Sequence, residues 1–297
     1  MATRHAWVLN LDSDLELASR ANAGDYTPRR AVVAAMQPHA EHLRRTLLGA
    51  DDVVVDESFA VSATEARTLV GRAFCLTPSA ARILRERGIE PEPHPSIDIL
   101  RRVNSRAFCA ELGQTLPDAA FVESEDEARA MVQRAPAVGR AWRLKRAFGM
   151  AGRGQRIIDA GEITPQALAF ARAWFAEGGV QIEPHVTIAV ELGMHGMIAR
   201  DGGLRLGALV AQRCDAQGAW IATERVTDDD AVRDEDRAQI AEEAVRVGAA
   251  LCDAGYFGAF GIDAFTYDDL AGARRLQPRS EINARYSMGF AAGFGRL

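Results

Sequence analysis

The 297-residue chain is 48% hydrophobic and 26% charged, long enough to bury a substantial core in two or three compact lobes, which excludes a solvated or repeat-built polymer. Its formal net charge of -6 argues against a general nucleic-acid binder, since such proteins neutralise phosphates with surplus Lys and Arg. Cys75, Cys109, Cys214 and Cys252 lie far apart with no CxxC pair, and no segment has the pattern of a membrane span or secretory leader; a cytoplasmic protein with reduced thiols and neither nucleic-acid nor membrane partners is expected.

Residues 6–11 (AWVLNL) read as a strand, residues 31–48 carry apolar residues at helical intervals, and Val53-Val54-Val55 is strand-like again. The alternation continues with a helix from Ser62 to Gly71, an apolar run from Ala73 to Leu76, and a helix opened by Thr77-Pro78 and running toward Gly88. Pro91, Pro93 and Pro95 cannot propagate a helix and mark the exit from a first α/β lobe, residues 1–97. A helix from Asp98 to Leu112 ends at Gly113, and residues 115–122 lead to an acidic helix start at Ser124 to Glu127 that complements the helix dipole. Strands at 141–145 and 155–159 flank the loop RAFGMAGRG (146–154), a hairpin with a glycine-rich tip. Thr164-Pro165 caps a helix to Ala176, stopped by Gly178-Gly179. Residues 180–186, 187–195 and 204–212 read as antiparallel strands. A helix from Asp234 to Asp253 sets Ile240, Ala244, Val247 and Leu251 on one face, and strands at 257–267 and 274–285 follow. The order implies a small α+β lobe at 98–186 and a mainly antiparallel lobe at 187–297.

The densest chemical signal is Arg279-Ser280-Glu281-Ile282-Asn283-Ala284-Arg285, because an extended strand projects Glu281, Asn283 and Arg285 from one face. A carboxylate and an amide suit magnesium, which keeps waters and substrate phosphates as its other ligands, while a guanidinium fork suits a phosphate or carboxylate. Asp263 sits among apolar neighbours, where an ionised acid is costly unless paired or metal-bound, and a hairpin connection would set it beside Glu281. The alternative is a strand-ending aspartate and an exposed cross-strand pair between Glu281 and Arg285. Lysine is so scarce that Lys145 stands out, preceding a loop with Gly149, Gly152 and Gly154 whose main-chain N–H groups could cover a triphosphate. The competing reading is a mobile glycine-rich hairpin with one solvated lysine. The loop lacks a Walker ending and runs into a strand, which disfavours a dinucleotide fingerprint.

Lys145 with its glycine loop, Glu183 in QIEPHV, Asp263 in FGIDAF and the Glu-x-Asn-x-Arg of Glu281 to Arg285 together resemble the ATP-grasp superfamily over about residues 100–297. The first 100 residues resemble only in general form the α/β domain that precedes such modules. The resemblance implies the ATP-grasp fold, of mixed α/β and α+β class: an N-terminal α/β domain followed by two α+β lobes that clamp ATP. It further implies that Lys145 and the loop contact the phosphates, and that Glu183 to Val186 hinge around adenine with His185 contributing backbone. Glu191 would bind the ribose hydroxyls, or else be a surface strand residue. Asp263, Glu281 and Asn283 would hold two magnesium ions, manganese being an alternative. Two departures stand out. Where many members place a further phosphate-binding lysine this chain has Arg106, and where some carry an arginine two residues before the metal-binding aspartate it has Gly261. Arg213 is a candidate for the displaced charge, or an exposed strand-end residue.

The expected activity is that of a carboxylate-amine ligase, with Arg285 and Arg213 as candidate catalytic cations and small-molecule carboxylate and amine substrates. A homodimer is the base-rate expectation. The alternatives are a phosphotransferase acting on a hydroxyl of a small molecule and a non-catalytic nucleotide-binding module, the latter suggested by the two departures.

Overall fold

The structure, a computed structural model, describes residues 3–19, 26–56, 58–113, 115–150, 153–161, 163–215, 220–227 and 232–296. The N-terminal region comprises β1 (Arg4–Val8), α1 (Ser13–Ala18), α2 (Arg30–Thr46), β2 (Val53–Val54), α3 (Ala63–Ala66), β3 (Leu69–Ala73), α4 (Pro78–Glu86) and β4 (Glu90–Pro91). Its strands form a parallel sheet in the order β2-β1-β3-β4. Both faces are covered, as parallel sheets require: Ala6 and Val8 pack with Leu69, Ala80 and Leu84, while Trp7 faces Leu43, Leu47 and Phe74. Two expectations are corrected here. The helix at 62–71 shrinks to α3, and residues 69–73, rather than the run at 73–76, form the strand. Residues 69–73 alternate buried and half-buried and pair on both sides, so sheet pairing overrides local helical preference. Pro91, unable to donate to a ladder, sits on the edge strand, and α1 was not foreseen.

The middle region comprises α5 (Ile97–Asn104), α6 (Arg106–Glu111), β5 (Ala120–Val122), α7 (Glu125–Val132), β6 (Ala141–Met150), β7 (Arg153–Asp159), α8 (Pro165–Ala176) and β8 (Val180–His185). The single helix expected at 98–112 breaks at Ser105, which is extended (φ -76°, ψ 142°) and caps α6 by accepting from the Ala107 N–H at 3.2 Å. The break is held from outside: Asn104 Oδ1 accepts from the Ala284 N–H at 2.9 Å, and its Nδ2 donates to the Ala284 carbonyl at 3.3 Å. The antiparallel sheet β5-β8-β6-β7 buries Trp142, Leu144, Val180 and Ile182 under α7 and α8. The hairpin strands reach Met150 and Arg153, further into the glycine-rich segment than expected, with an irregular register between Lys145 and Met150.

The C-terminal region comprises β9 (Thr187–Ile198), β10 (Leu204–Leu206), β11 (Val210–Cys214), β12 (Trp220–Arg225), α9 (Asp234–Asp253), β13 (Gly258–Asp268), β14 (Arg274–Asn283) and α10 (Phe290–Phe294). Its antiparallel sheet runs β12-β11-β9-β13-β14, with β10 also on β9. The strand expected at 204–212 is split, because β10 pairs with one end of β9 (Leu204 with Ile198) and β11 with its middle (Val210 with Gly193). At the split, a Cβ on Gly207 would fall 2.7 Å from the Gly293 carbonyl oxygen, so only glycine lets α10 approach. Strand β12 and α10 were not foreseen. Helix α9 lays Ile240, Ala244, Val247 and Leu251 into one core with Leu192, Met194, Ile262, Ala264 and Ile282. Among the described residues no helix is long and apolar enough to cross a membrane.

Candidate functional site

The face of the large sheet turned away from α9 carries the chemistry, and period-two alternation puts it there. Asp263 on β13 pairs directly with Glu281 on β14, and Gly261 pairs with Asn283, so the three polar side chains share one face. On the other side Asp263 pairs with Gly193 of β9, two residues from Glu191, and Glu191 pairs with Gln212 of β11. Opposite them lies the hairpin of β6 and β7. The cleft between is a cavity of about 240 Å³ lined by Lys145, Gly149, Gly154 and Glu183 from the hairpin sheet, and by Glu191, Gln212, Asp263, Glu281, Asn283 and Arg285 from the other side. Arg106 lines it too, placed at the start of α6 by the Ser105 break.

Hydrogen bonds hold the carboxylates in register. Gln212 Nε2 and Asn283 Nδ2 each donate to Asp263 at 3.0 Å, to Oδ1 and Oδ2 respectively. Burial, and then the nearby Glu281 charge, raise the Asp263 carboxyl to about 6. Burial would push Glu281 up as well, but the charges of Arg106 and Lys145 and the Arg106 hydrogen bond outweigh it and hold that carboxyl below its ordinary value. Arg106 Nη2 donates to Glu281 Oε2 at 2.6 Å, while Nη1 donates to the Arg146 carbonyl at 2.7 Å. Lys145, the only lysine in the sequence, places Nζ 2.6 Å from Glu183 Oε1 with both side chains largely buried.

Two crowded carboxylates and an amide fit a divalent cation: a positive charge there would offset the burial and the Glu281 repulsion that together raise Asp263, and Asn283 Oδ1 could face it while Nδ2 stays on Asp263. Among the described residues no group of three His, Cys, Asp or Glu side chains is arranged for a metal, so a cation here would need phosphate and water oxygens to complete its shell. Glu281 would have to share or exchange Arg106 to join it.

The remaining sequence-selected residues divide. Val186, between β8 and β9, lines the cavity beside Pro184 and Ile188. His185 is not among its lining residues: its Nδ1 lies 2.9 Å from Arg143 Nη2, and burial, then the Arg143 charge, lower its pKa. Gly152 lies outside the described residues. Arg213 is a correction. Its neighbours Gln212 and Cys214 line the cavity, but Arg213 is exposed and pairs with Glu224 at 3.2 Å, as strand alternation requires. Arg285 does line the cavity, although its partner is neither Glu281 nor a strand neighbour. It donates from Nε and Nη2 to Asp14 of α1, at 3.2 and 2.7 Å. Gly261 has its own reason. A Cβ there would stand 2.9 Å from His195 Cδ2, and the buried His195 ring fills the space where an arginine would otherwise project. Burial lowers the His195 pKa to about 4, keeping the ring neutral.

Sequence reasoning missed Gln212, Asp14 and Trp220, the last of which also lines the cavity. Gln212 was within reach, since it precedes Arg213 on a strand and only one of two neighbours can face the cleft. Asp14 carried no signal, because its role depends on a chain reversal that brings α1 to the end of β14.

No protein-family model matches the sequence, and no curated protein matches it. Solved structures do. The chain is similar to N5-carboxyaminoimidazole synthetase from Staphylococcus aureus complexed with ADP, at TM-score 0.52 and 11% identity over 97% of this chain and 71% of that one. It is similar to the biotin carboxylase domain of the Hydrogenobacter thermophilus 2-oxoglutarate carboxylase in complex with MgADP, ADP and bicarbonate, at TM-score 0.56 and 14% identity over 96% and 64% of the two chains. Biotin carboxylase from Campylobacter jejuni in its β-γ-ATP complex gives TM-score 0.58 and 13% identity over 96% and 66%. At such identities the likeness establishes architecture, and the architecture is the ATP-grasp fold.

Proposed function

We propose that the chain is an ATP-dependent carboxylate-amine ligase, working as three lobes at residues 1–97, 98–186 and 187–297, with ATP between the second and third. One observation carries the reading: Asp263, Glu281 and Asn283 share a sheet face across a cleft from a glycine-rich hairpin bearing the only lysine of the chain. Lys145, Arg106 and the main-chain N–H groups around Gly149, Gly152 and Gly154 hold the phosphates, the two cations exchanging Glu183 and Glu281 for phosphate oxygens. The close approach of Gly149 to Arg106, where a Cβ would fall 2.6 Å from Nη1, keeps backbone and guanidinium on the same anion. Adenine lies along Glu183 to Val186, and Glu191 receives the ribose hydroxyls.

Asp263, Glu281 and Asn283 would hold magnesium, two ions with manganese as an alternative, which when bound neutralises charge on the phosphate oxygens. An oxygen of the substrate carboxylate forms a bond to the γ-phosphorus as the bond to the β,γ-bridging oxygen breaks, and ADP leaves with that electron pair. The acyl phosphate is then attacked at carbon by a neutral amine; the carbon–oxygen bond to phosphate breaks, phosphate leaves, and the amine nitrogen loses a proton. Arg285 lies where it can steady the carboxylate, so the protein contributes alignment and electrostatics rather than a nucleophile.

Phosphate release from ATP across a matrix of carboxylates and amines tests the reading, with mass analysis of the product. An amide with stoichiometric ADP is the expected result. A phosphorylated acceptor would make the protein a phosphotransferase, and nucleotide binding without turnover on any acceptor would make it a binding module.

A further inference from the structure

Arg106, Lys145 and Arg285, cations of the nucleotide cleft, each meet a carboxylate. Arg143 of β6 lines the same cleft, half-buried, and among the described residues it meets no carboxylate. Its hydrogen-bond partners are an amide and an imidazole: Nη1 donates to Gln155 Oε1 at 3.2 Å, and Nη2 donates to His185 Nδ1 at 2.9 Å. Burial and the Arg143 charge lower the His185 pKa, which favours the neutral ring that can accept. We infer that Arg143 lays the flat face of its guanidinium on the nucleobase and so sets how firmly the base end of the nucleotide is held; the inference rests on where the ligase reading places the nucleotide.

Register puts Arg143 at the base end. In the ladder between β6 and β8 it stands opposite Glu183, where the segment assigned to adenine begins, while Lys145 and Gly149 follow along the hairpin toward the phosphates. Across the cleft Phe265 pairs with Glu191, the residue assigned to the ribose, and packs with Val186 and Ile188 into an apolar wall. A planar ring entering there has that wall on one side and Arg143 on the other. The two hydrogen bonds decide which part of the guanidinium it meets. Gln155 stands on β7 and His185 on β8, on either side of β6, and the N–H bonds of a guanidinium lie in its plane. The group is therefore held along its edge from both sides, and its face is left for the cleft. A guanidinium is planar and weakly hydrated, so stacking on a ring costs it little and its charge attracts the π electrons. A carboxylate partner would cancel that attraction; the amide and the neutral imidazole do not.

The test compares a probe that has a base with one that has none. The full chain, with magnesium, is titrated calorimetrically with a non-hydrolysable ATP analogue and separately with tripolyphosphate, which carries the phosphates without base or ribose. Arg143→Met is expected to weaken the analogue roughly tenfold and to leave tripolyphosphate affinity and melting temperature as in the parent. Arg143→Lys, which keeps the charge without the planar fork, should recover only a minor part of that loss. Equal weakening of both probes would mean a phosphate contact or a loosened hairpin, and full recovery by lysine would mean a point charge. Either result, or an analogue affinity that neither variant changes, overturns the inference and leaves the ligase reading standing. A loss confined to the base-bearing probe, with no ADP formed from ATP on any carboxylate and amine, sustains the inference and removes the ligase reading. Failure of the parent chain to bind the analogue overturns both.

Discussion

The two faces of the large sheet are built by the same strands, yet one is a core and the other a polar cleft. Leu192, Met194, Ile262, Ala264 and Ile282 bury themselves with α9, while Glu191, Gln212, Asp263, Glu281 and Asn283 line the cavity. Neighbouring residues thus answer to different demands. Ile262 is held by dispersion and exclusion of water, whereas Asp263 next to it is kept as an acid at the cost of desolvation. Stability and chemistry are separated by one residue step along a strand, so substitutions on the two faces should separate them experimentally.

The largest effect is expected on the cleft face. Glu281→Ala should lower acceptor-dependent phosphate release roughly a hundred- to a thousandfold, the scale of losing a charge-positioning group, with melting temperature as the control. Unchanged turnover would dissolve the contrast between the faces. Ile262→Ala should do the reverse, costing about 2–4 kcal/mol in urea unfolding while turnover per folded molecule stays near that of the parent. Gly261→Ala probes the cleft face where it is packed rather than open: the added methyl meets His195, so a loss of about 1–3 kcal/mol is expected, and none if the ring can move aside.

The smallest effect is in pH dependence. Asp263 has a folded-state pKa raised to about 6, so its stabilising contribution is complete below the ordinary carboxyl value of 3.8 and is lost as pH rises through about 6. Asp263→Asn should therefore unfold at higher urea concentration than the parent near about pH 7, with the gap closing toward about pH 4. A gap that stays constant with pH would mean that the Asp263 carboxyl is not raised in the fold.

Much of the fold was legible in the residues. The helices over 31–48, 164–176 and 234–253 and the strands around Asp263 and Glu281 announce themselves by apolar period and by Thr-Pro or glycine punctuation. Where reading failed, a long-range partner was responsible. Residues 69–73 became a strand because β1 and β4 flank them, and the helix at 98–112 broke at Ser105 because Asn104 is pinned to Ala284. The same division holds at the cleft. Glu281 and Asn283 share a face by strand geometry alone, but nothing near Arg285 in sequence announces Asp14, and Arg213 was drawn toward the cleft on charge although its alternation sends it outward.

The amino-acid sequence by itself determined most of the helices and strands and the face on which Asp263, Glu281 and Asn283 lie, because helical and strand periods are local properties of the chain, and the resemblance carried by its short motifs implied the ATP-grasp fold. Tertiary structure alone decided which cation meets which carboxylate: Arg106 with Glu281, Lys145 with Glu183, Arg285 with Asp14. Those pairs join residues on separate elements, 175, 38 and 271 positions apart, and only the packing of sheets and helices brings such charges within hydrogen-bond reach.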